Sequence, residues 1–327
     1  MMRLFPTRTG SASIAPPGSV RQILLWFSQL PWRTSALAVC LGLPLLADAG
    51  GQTPAGPGDR IEVRPATEPE TIPHRDHFHD LFTAHLGGLH MADFSVNFTD
   101  RGSSFDAKLV LESRGLLETF RELRAMAQGS GRFTDALSPM KSIHPEGYLR
   151  VYRETGKAGI KEVRYSLGHP PEGYNNGKED PRVPPELRWG ALDPFATFAL
   201  ARRILRTAKS GERVILPVFD GKLRYDFQAD VGDSTTIQVN DAPIKTIPVT
   251  LEPLPISGFS KRHARSWEGK TITLHFSADG MLTPIKLILN SALGGFIITR
   301  VGPCDSPQIT CPIPLSKYLS ANNHLDN

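Results

Sequence analysis

Histidines are the side chains whose clustering in this sequence points most directly to chemistry. Five of them fall within residues 74–90, and His77 and His79 would share one face of a strand. Imidazole binds zinc and copper, and Asp76 and Asp80 would add oxygen ligands. The alternative is a polar linker end with each ring solvated, because ligands in a flexible segment are poorly preorganised. We therefore expect no metal ion, and His74, His77 and His79 remain the weak metal-ligand candidates.

Two aspartates could be taken for catalytic acids, and each has a structural explanation. Asp193 stands before Pro194, in the order that suits a helix N-cap and the first helical position. Asp220 and Gly221 form a tight turn between two apolar segments. The chain has no P-loop, G-x-G-x-x-G or H-E-x-x-H motif, and its serines lack a nucleophile-elbow context. The sequence therefore predicts a non-enzymatic protein without a cofactor.

The strand after this turn carries Arg224, Tyr225 and Asp226. Side chains alternate across a strand, so one of the three faces the core and its neighbours face out. We interpret the charged residues as cross-strand pairs rather than as a site.

The N-terminal region has the parts of a secretory signal peptide. Arg33 precedes a short apolar segment, residues 35–47, which ends in the small residues Ala47 and Ala49 around Asp48. The alternative is an uncleaved anchor over about residues 23–46, although Gln29, Pro31 and Arg33 lie inside that window. Export predicts a periplasmic location, and Cys304 and Cys311, which flank a turn, are expected to form a disulfide there.

Charge argues against nucleic acid as a partner. The whole chain has 37 basic and 33 acidic residues, but residues 1–49 contain four of the basic residues and one acidic residue. The remaining chain has 33 basic and 32 acidic residues, so it is almost neutral and has no basic tract. We expect no nucleic-acid binding.

Short apolar segments joined by turns dominate the rest of the sequence. In one of them, Phe94, Val96 and Phe98 alternate with polar residues, which is the pattern of a half-buried strand. About ten such strands are predicted, with a long polar loop over residues 168–185 and no β-α-β alternation. This pattern predicts a mainly β fold (β+α), a strongly curved antiparallel sheet or half-barrel that wraps one or two helices.

The helices that the sheet would wrap are predicted at two places. Residues 194–210 form an amphipathic helix, with Arg202, Arg203, Arg206 and Lys209 largely on its outside and Gly211 at its end. The stretch 116–128 has helical spacing, but neighbouring strands could extend into it. The predicted organisation is a signal peptide (1–49), a flexible linker (50–75), a single β-rich domain (76–303), and a disulfide-closed turn with a loose C-terminal tail (304–327).

The helix start and the following hairpin resemble a family of bacterial envelope proteins, domain of unknown function 3108. The residues that carry the resemblance include Asp193, Pro194, Phe219, Asp220, Gly221, Arg224 and Tyr225. The similarity covers roughly residues 80–301. It implies a periplasmic location and, more loosely, a half-barrel like that of the periplasmic lipoprotein carriers, with an apolar cavity. It implies no catalytic residues.

Three functions are consistent with these features. The first is an exported non-enzymatic protein that binds an apolar or lipid-like ligand in a curved-sheet cavity. The second is a structural or protein-interaction component of the cell envelope without a small ligand, and the third is a metal-binding or hydrolytic protein that uses the histidine-rich segment. The candidate cavity residues are Phe94, Val96, Phe98, Leu109, Phe195, Phe198, Leu216 and Phe276.

Overall fold

The computed structural model describes residues 76–120, 122–134, 142–267, 269–289 and 295–315. The predicted signal peptide and linker, and the tail beyond residue 315, lie outside these ranges and remain predictions. Within the described ranges, no helix is long and apolar enough to cross a membrane.

The described residues form one curved antiparallel sheet of fifteen strands, which confirms the predicted fold class. Buried residues alternate with partly exposed ones, as in β10, because one face of each strand packs on the core. The first eight strands are β1 (Asp76–Leu86), β2 (Leu89–Asp100), β3 (Ser104–Ser113), β4 (Leu123–Phe133), β5 (Ile143–Glu154), β6 (Lys157–Arg164), β7 (Glu172–Asn175) and β8 (Lys178–Glu179). The other seven are β9 (Arg213–Phe219), β10 (Arg224–Val231), β11 (Thr235–Val239), β12 (Ala242–Ser257), β13 (Ile272–Ser277), β14 (Pro284–Leu289) and β15 (Phe296–Pro303).

Two meanders joined through the first strand build this sheet. Its order is β8-β7-β6-β5-β4-β3-β2-β1-β15-β14-β13-β12-β10-β9, and β11 pairs with β12 at the side of this path. The pairing of β1 with β15 therefore brings the two ends of the domain together. Strands β8 and β9 are the ends of the path, so the ladder of backbone hydrogen bonds in the described residues leaves the sheet open.

Three α-helices and one 3-10 helix accompany the sheet in the described residues: α1 (Gly115–Phe120), α2 (Pro194–Leu205), α3 (Lys261–Arg265) and the 3-10 helix Pro185–Leu187. Helix α2 packs against β4, β5 and β9 on the inside of the curve. The predicted cap is confirmed, since Asp193 accepts hydrogen bonds from the backbone N–H groups of Phe195 and Ala196. The sheet therefore wraps a buried helix.

The prediction that the helix arginines lie on the outside is wrong for Arg202, which is 0% exposed. Its guanidinium bonds to the carbonyls of Met281 and Leu282 and lies 3.5 Å from a carboxylate oxygen of Asp76. Buried charge is stable only when it is paired and hydrogen-bonded. These partners satisfy Nε and Nη2 of Arg202, whereas its Nη1 has no hydrogen-bond partner among the described residues. Three aromatic rings, described below, surround the rest of the group. An amphipathic pattern implies one buried face and one exposed face, but the sheet also covers the side of the helix that carries Arg202.

Other boundaries differ from the predictions for local reasons. The helix ends at Leu205 rather than near Gly211, whose N–H bonds to the carbonyl of Val231. The stretch 116–128 divides into the end of α1 and the start of β4, because β4 pairs with both β3 and β5. The predicted loop 168–185 contains the hairpin β7–β8, with Asn176 and Gly177 at positive φ in its turn.

The predicted disulfide between Cys304 and Cys311 is confirmed. The two residues are 7 positions apart, and their Cα atoms are separated by 5.8 Å. Cys304 is anchored to the sheet because its N–H donates to the carbonyl of His79 at 2.7 Å. The bridge closes a small loop, which stabilises the folded chain by roughly 2.5 kcal/mol on a chain-entropy estimate.

Candidate functional site

The predicted cavity residues lie together in a single hydrophobic core. Each is at most 5% exposed, and three aromatic rings, those of Phe78, Phe98 and Phe276, pack around the ring of Phe198. A small, partly open pocket borders Phe94 and Val96, and its volume is about 20 Å³. That volume suits about one water molecule. In this structure the eight residues are packed core, so an acyl chain would enter only if the core opened.

The residues that carry the family resemblance come together where the ends of the sheet meet. We call this contact the seam: the turn Asp220–Gly221 lies against β6 and β7. A Cβ atom at Gly173 would overlap the carbonyl oxygen of Gly221, and one at Gly221 would stand 2.9 Å from the carbonyl oxygen of Glu162. Gly221 also has a φ of 86°. Glycine is therefore required on both sides of the seam for this close approach.

Buried polar groups line the inside of the seam. One oxygen of Asp220 accepts hydrogen bonds from the N–H groups of Lys222 and Leu223, which confirms the predicted turn. The other oxygen lies 3.9 Å from the ammonium nitrogen of Lys161, and both side chains are buried. Burial lowers the pKa of Lys161 to about 8, although the charge of Asp220 acts in the opposite direction.

Three buried polar atoms at this seam have no hydrogen-bond partner among the described residues: Lys161 Nζ, Asp220 Oδ2 and the hydroxyl of Tyr225. Such atoms cost free energy because they lose water without a replacement. The seam therefore closes the sheet less strongly than a backbone ladder would.

Asp193 connects the helix to this region. Its side chain is 0% exposed, and its second carboxylate oxygen accepts a hydrogen bond from the Tyr165 hydroxyl at 3.2 Å. Burial raises the pKa of Asp193 to about 6, while the N–H groups of Ala196 and Phe195 oppose that shift. The residue is a structural cap that titrates near neutral pH.

We predict that Asp193→Asn changes the pH dependence of stability. The folded-state pKa of Asp193 lies above its ordinary value of 3.8, so this carboxyl favours the folded state most at low pH, and that contribution is lost as pH rises through about 6. Asparagine caps the helix without ionising. Between about pH 4 and pH 7, the variant should gain about 2–3 kcal/mol relative to the natural protein. Urea unfolding measures this, with the exposed Asp230→Asn as control. A difference that stays constant with pH would contradict the assignment.

The interpretation of Arg224 and Asp226 as cross-strand pairs is wrong, because these two residues bond to each other along the same strand. Arg224 also donates to the carbonyl of Leu187 at 2.9 Å. Arg224 and Asp226 share one side of β10 because side chains alternate along a strand, while Tyr225 faces the core and is 0% exposed. These contacts fix the seam-side end of β10.

A large polar groove lies on the outer face of β2–β6. Its volume is about 870 Å³, within the usual range of small-molecule sites. The acids in it are paired with arginines: Glu162 with Arg164 at 2.5 Å, and Glu146 with Arg132 at 2.6 Å. The lining side chains that project outward are Asn97, Asp106, Lys108, Gln128, Ser130, Glu146, Leu149, Glu162 and Arg164. Hydrogen-bonding and charged groups therefore dominate this surface.

A β-bulge shapes the floor of the groove. The pairing of β4 with β5 shifts between Ser130 and Gly131, which leaves Glu146 as an extra residue in β5. Bulges bend a strand and are common beside functional sites. Next to the bulge, a Cβ atom at Gly147 would meet one atom within 4 Å, the carbonyl oxygen of Val163 at 3.8 Å. A side chain introduced at Gly147 would therefore project into the groove rather than into the core.

The histidines do not gather into a metal centre in the described residues. His77 bonds to the Thr99 hydroxyl, and His90 bonds to Asp93 at 2.7 Å. Within the described ranges, no three His, Cys, Asp or Glu side chains are close enough to hold a metal ion. His74, one of the three weak candidates, lies outside those ranges. His77 and His79 do share the outer face of β1, opposite Thr99 and Asn97.

Sequence reasoning missed the buried cations Lys161 and Arg150. They are opposite each other on β6 and β5, and both face inward. The sequence does contain one indication of this burial. Lys161 alternates in step with the apolar residues Val163 and Tyr165, so it is expected on the same, inward face of the strand. The groove had no comparable signal, since it depends on a bulge and on five strands lying side by side.

These features define a class: a mainly β domain in which one open, curved antiparallel sheet wraps a buried helix, with a polar groove on its outer face. The chain belongs to the DUF3108 family of proteins of unknown function, whose model matches residues 81–300. The resemblance seen in the sequence is thereby confirmed. No curated protein matches the sequence.

One solved structure similar to this chain is a beta-barrel-like protein of domain of unknown function DUF1849 from Brucella abortus. The two chains are 8% identical, and the match covers 71% of this chain and 99% of the other with a TM-score of 0.43.

Proposed function

We propose that this protein is an exported, non-enzymatic component of the bacterial cell envelope that docks another envelope component in the outer groove of β2–β6. The observation that carries this proposal is the contrast between the two faces of the sheet. The inner face borders a pocket of about 20 Å³, whereas the outer groove has about 870 Å³. A partner therefore has room on the outside of the sheet, and the helix and aromatic core occupy the inside.

Export is supported by two features. Residues 33–49 have the charge, apolar segment and small residues of a cleavable signal, and the disulfide between Cys304 and Cys311 suits an oxidising compartment such as the periplasm. On this proposal the mature chain begins at Gly50.

Site-specific photo-crosslinking in living cells tests the docking proposal. A photoreactive residue at Ser130, in the groove, should form a specific adduct, and one at Thr236, on the distant strand β11, should not. Gly147→Trp should reduce the Ser130 adduct at least tenfold because the indole would occupy the part of the groove directly opposite Ser130. Gln238→Trp, on exposed β11, is the matched control and should leave the adduct intact.

Two outcomes would count against docking in the groove. One is an adduct at Ser130 no stronger than that at Thr236. The other is an adduct that persists unchanged in the Gly147→Trp variant, provided that circular dichroism shows the variant to be folded.

A second candidate is carriage of an apolar or lipid-like ligand. The seam favours it, because the ends of the sheet meet at close-packed glycines and a buried Lys161–Asp220 pair rather than through a ladder between β8 and β9 in the described residues. Opening there would expose the aromatic core. Lipid that co-purifies with the protein would support this candidate over the first.

A further inference from the structure

A row of hydrogen-bond donors crosses four strands at one end of the groove. His79, Asn97, Lys108 and Gln128 are directly opposite one another on β1, β2, β3 and β4. Their sequence neighbours Phe78, Phe98, Ala107 and Ala127 are buried in the core, so the four side chains project from the outer face. We call this row the donor strip. Side chains directly opposite on paired strands are about 5 Å apart, close enough to bind one small group together.

The charge in this strip is not balanced by the groove acids. Asp106, Glu146 and Glu162 are each paired with an arginine, at Arg101, Arg132 and Arg164 respectively. Lys108 forms no ion pair with the described residues. Its neighbours in the strip, Asn97 and Gln128, are uncharged amides that can each donate hydrogen bonds. The strip is therefore a half-exposed patch with one positive charge and donors on both sides of it.

Anionic oxygens complement such a patch. A carboxylate or phosphate accepts several hydrogen bonds at once, and bonds in which one partner is charged are roughly twice as strong as neutral ones. Lysine with flanking amide donors meets both requirements.

We propose that the donor strip is an anion subsite, which binds a carboxylate or phosphate group of the molecule that docks in the groove. This inference rests on the proposed docking function and adds the chemical class of the ligand to it. Lys108 provides the charge, and Asn97 and Gln128 orient the anion between them.

His79 makes the subsite sensitive to pH. The charged groups that act electrostatically on its ring are His77 and Asp80 on β1, Lys108 on β3 and Asp305 in the turn after β15. Burial, together with the positive charges nearby, lowers the pKa of His79, although the two aspartates oppose that shift. The lowered pKa favours the neutral ring, and protonation at lower pH adds a second cation to the strip. Anion binding should tighten as pH falls, and a bound anion should raise the pKa of His79 in return.

Titration of the full mature chain with sulfate and with formate, followed by amide NMR, tests this proposal. Both anions keep their charge between about pH 7.5 and pH 5.5, so a change in affinity over that range reports on the protein. We expect the largest shifts on β1–β4, tenfold weaker binding in Lys108→Gln, and less than twofold change in the control Lys157→Gln, an exposed lysine of the β5–β6 hairpin. His79→Gln should keep the affinity at pH 7.5 and abolish the gain at pH 5.5.

Three results would overturn the proposal. They are no shift with either anion, equal losses in Lys108→Gln and Lys157→Gln, and binding that is independent of pH in the natural protein. The crosslink at Ser130 separates this inference from the docking function. An intact crosslink without anion binding rejects the subsite alone, whereas anion binding without a crosslink supports the subsite and rejects docking.

Discussion

Arg202→Ala should destabilise the protein by about 3–5 kcal/mol, because it removes a fully buried, paired guanidinium. This group lies 4.6 Å from the ring of Phe98 and also faces the rings of Phe78 and Phe198. Alanine would leave the carbonyls of Met281 and Leu282 without their donor and would open a cavity beside the rings. A domain is stable by about 5–15 kcal/mol, so urea unfolding will detect the change readily.

Two further variants show whether the buried hydrogen bonds and ion pair of Arg202 cause the loss of stability in Arg202→Ala. Arg213→Ala breaks an ion pair between exposed residues and should cost at most about 1 kcal/mol. Arg202→Met keeps the packing against the rings without the hydrogen bonds, so its stability should fall between those of the natural protein and Arg202→Ala. If Arg202→Ala cost no more than Arg213→Ala, the buried network would not hold the helix in the sheet.

Phe98→Ala should cost about 3–5 kcal/mol if the inside of the sheet is packed core. Phe98 is 0% exposed, and its ring lies 5.2 Å from that of Phe198 and 5.7 Å from that of Phe78. Truncation removes these contacts and leaves a cavity that the surrounding sheet cannot fill. Thermal and urea unfolding give the size of the loss.

Phe98→Ala would have a different effect on stability if the ring lined a pocket that normally holds a ligand. If these rings lined such a pocket, the surroundings would already accommodate empty space, and Phe98→Ala would cost little. Leu167→Ala, at a side chain 99% exposed, is the control and should change stability by less than about 0.5 kcal/mol. A cost for Phe98→Ala as small as that of the control would support the ligand-pocket interpretation.

Local signals explain what could be predicted from the sequence. The cap at Asp193, the turn at Asp220–Gly221 and the strand of Phe94, Val96 and Phe98 depend on neighbours within a few residues. Predicting a curved antiparallel sheet required only these signals and the absence of β-α-β alternation. The disulfide followed from the turn that separates Cys304 from Cys311.

Long-range contacts explain what could not be predicted. The carboxylate that pairs with Arg202 is 126 residues away in the sequence, at Asp76, so the helical pattern alone placed this arginine outside. The donor strip joins His79 to Gln128 through three registers, each of which depends on where a hairpin turns. The histidines are weak metal-ligand candidates in the sequence because their spacing is local, whereas the place of His79 in a row with Asn97 and Lys108 is visible only in the folded sheet.

The central claim is that the inside of the sheet is packed core and that the protein binds its partner in the outer groove. The most direct test is the native mass of the protein isolated from the cell envelope. The expected mass is that of the chain from Gly50 onward, carrying one disulfide and no lipid. The contradicting result is a species heavier by one bound lipid, which disappears after solvent extraction. It would show that the sheet opens to hold a ligand and that the binding site is the core rather than the outer groove.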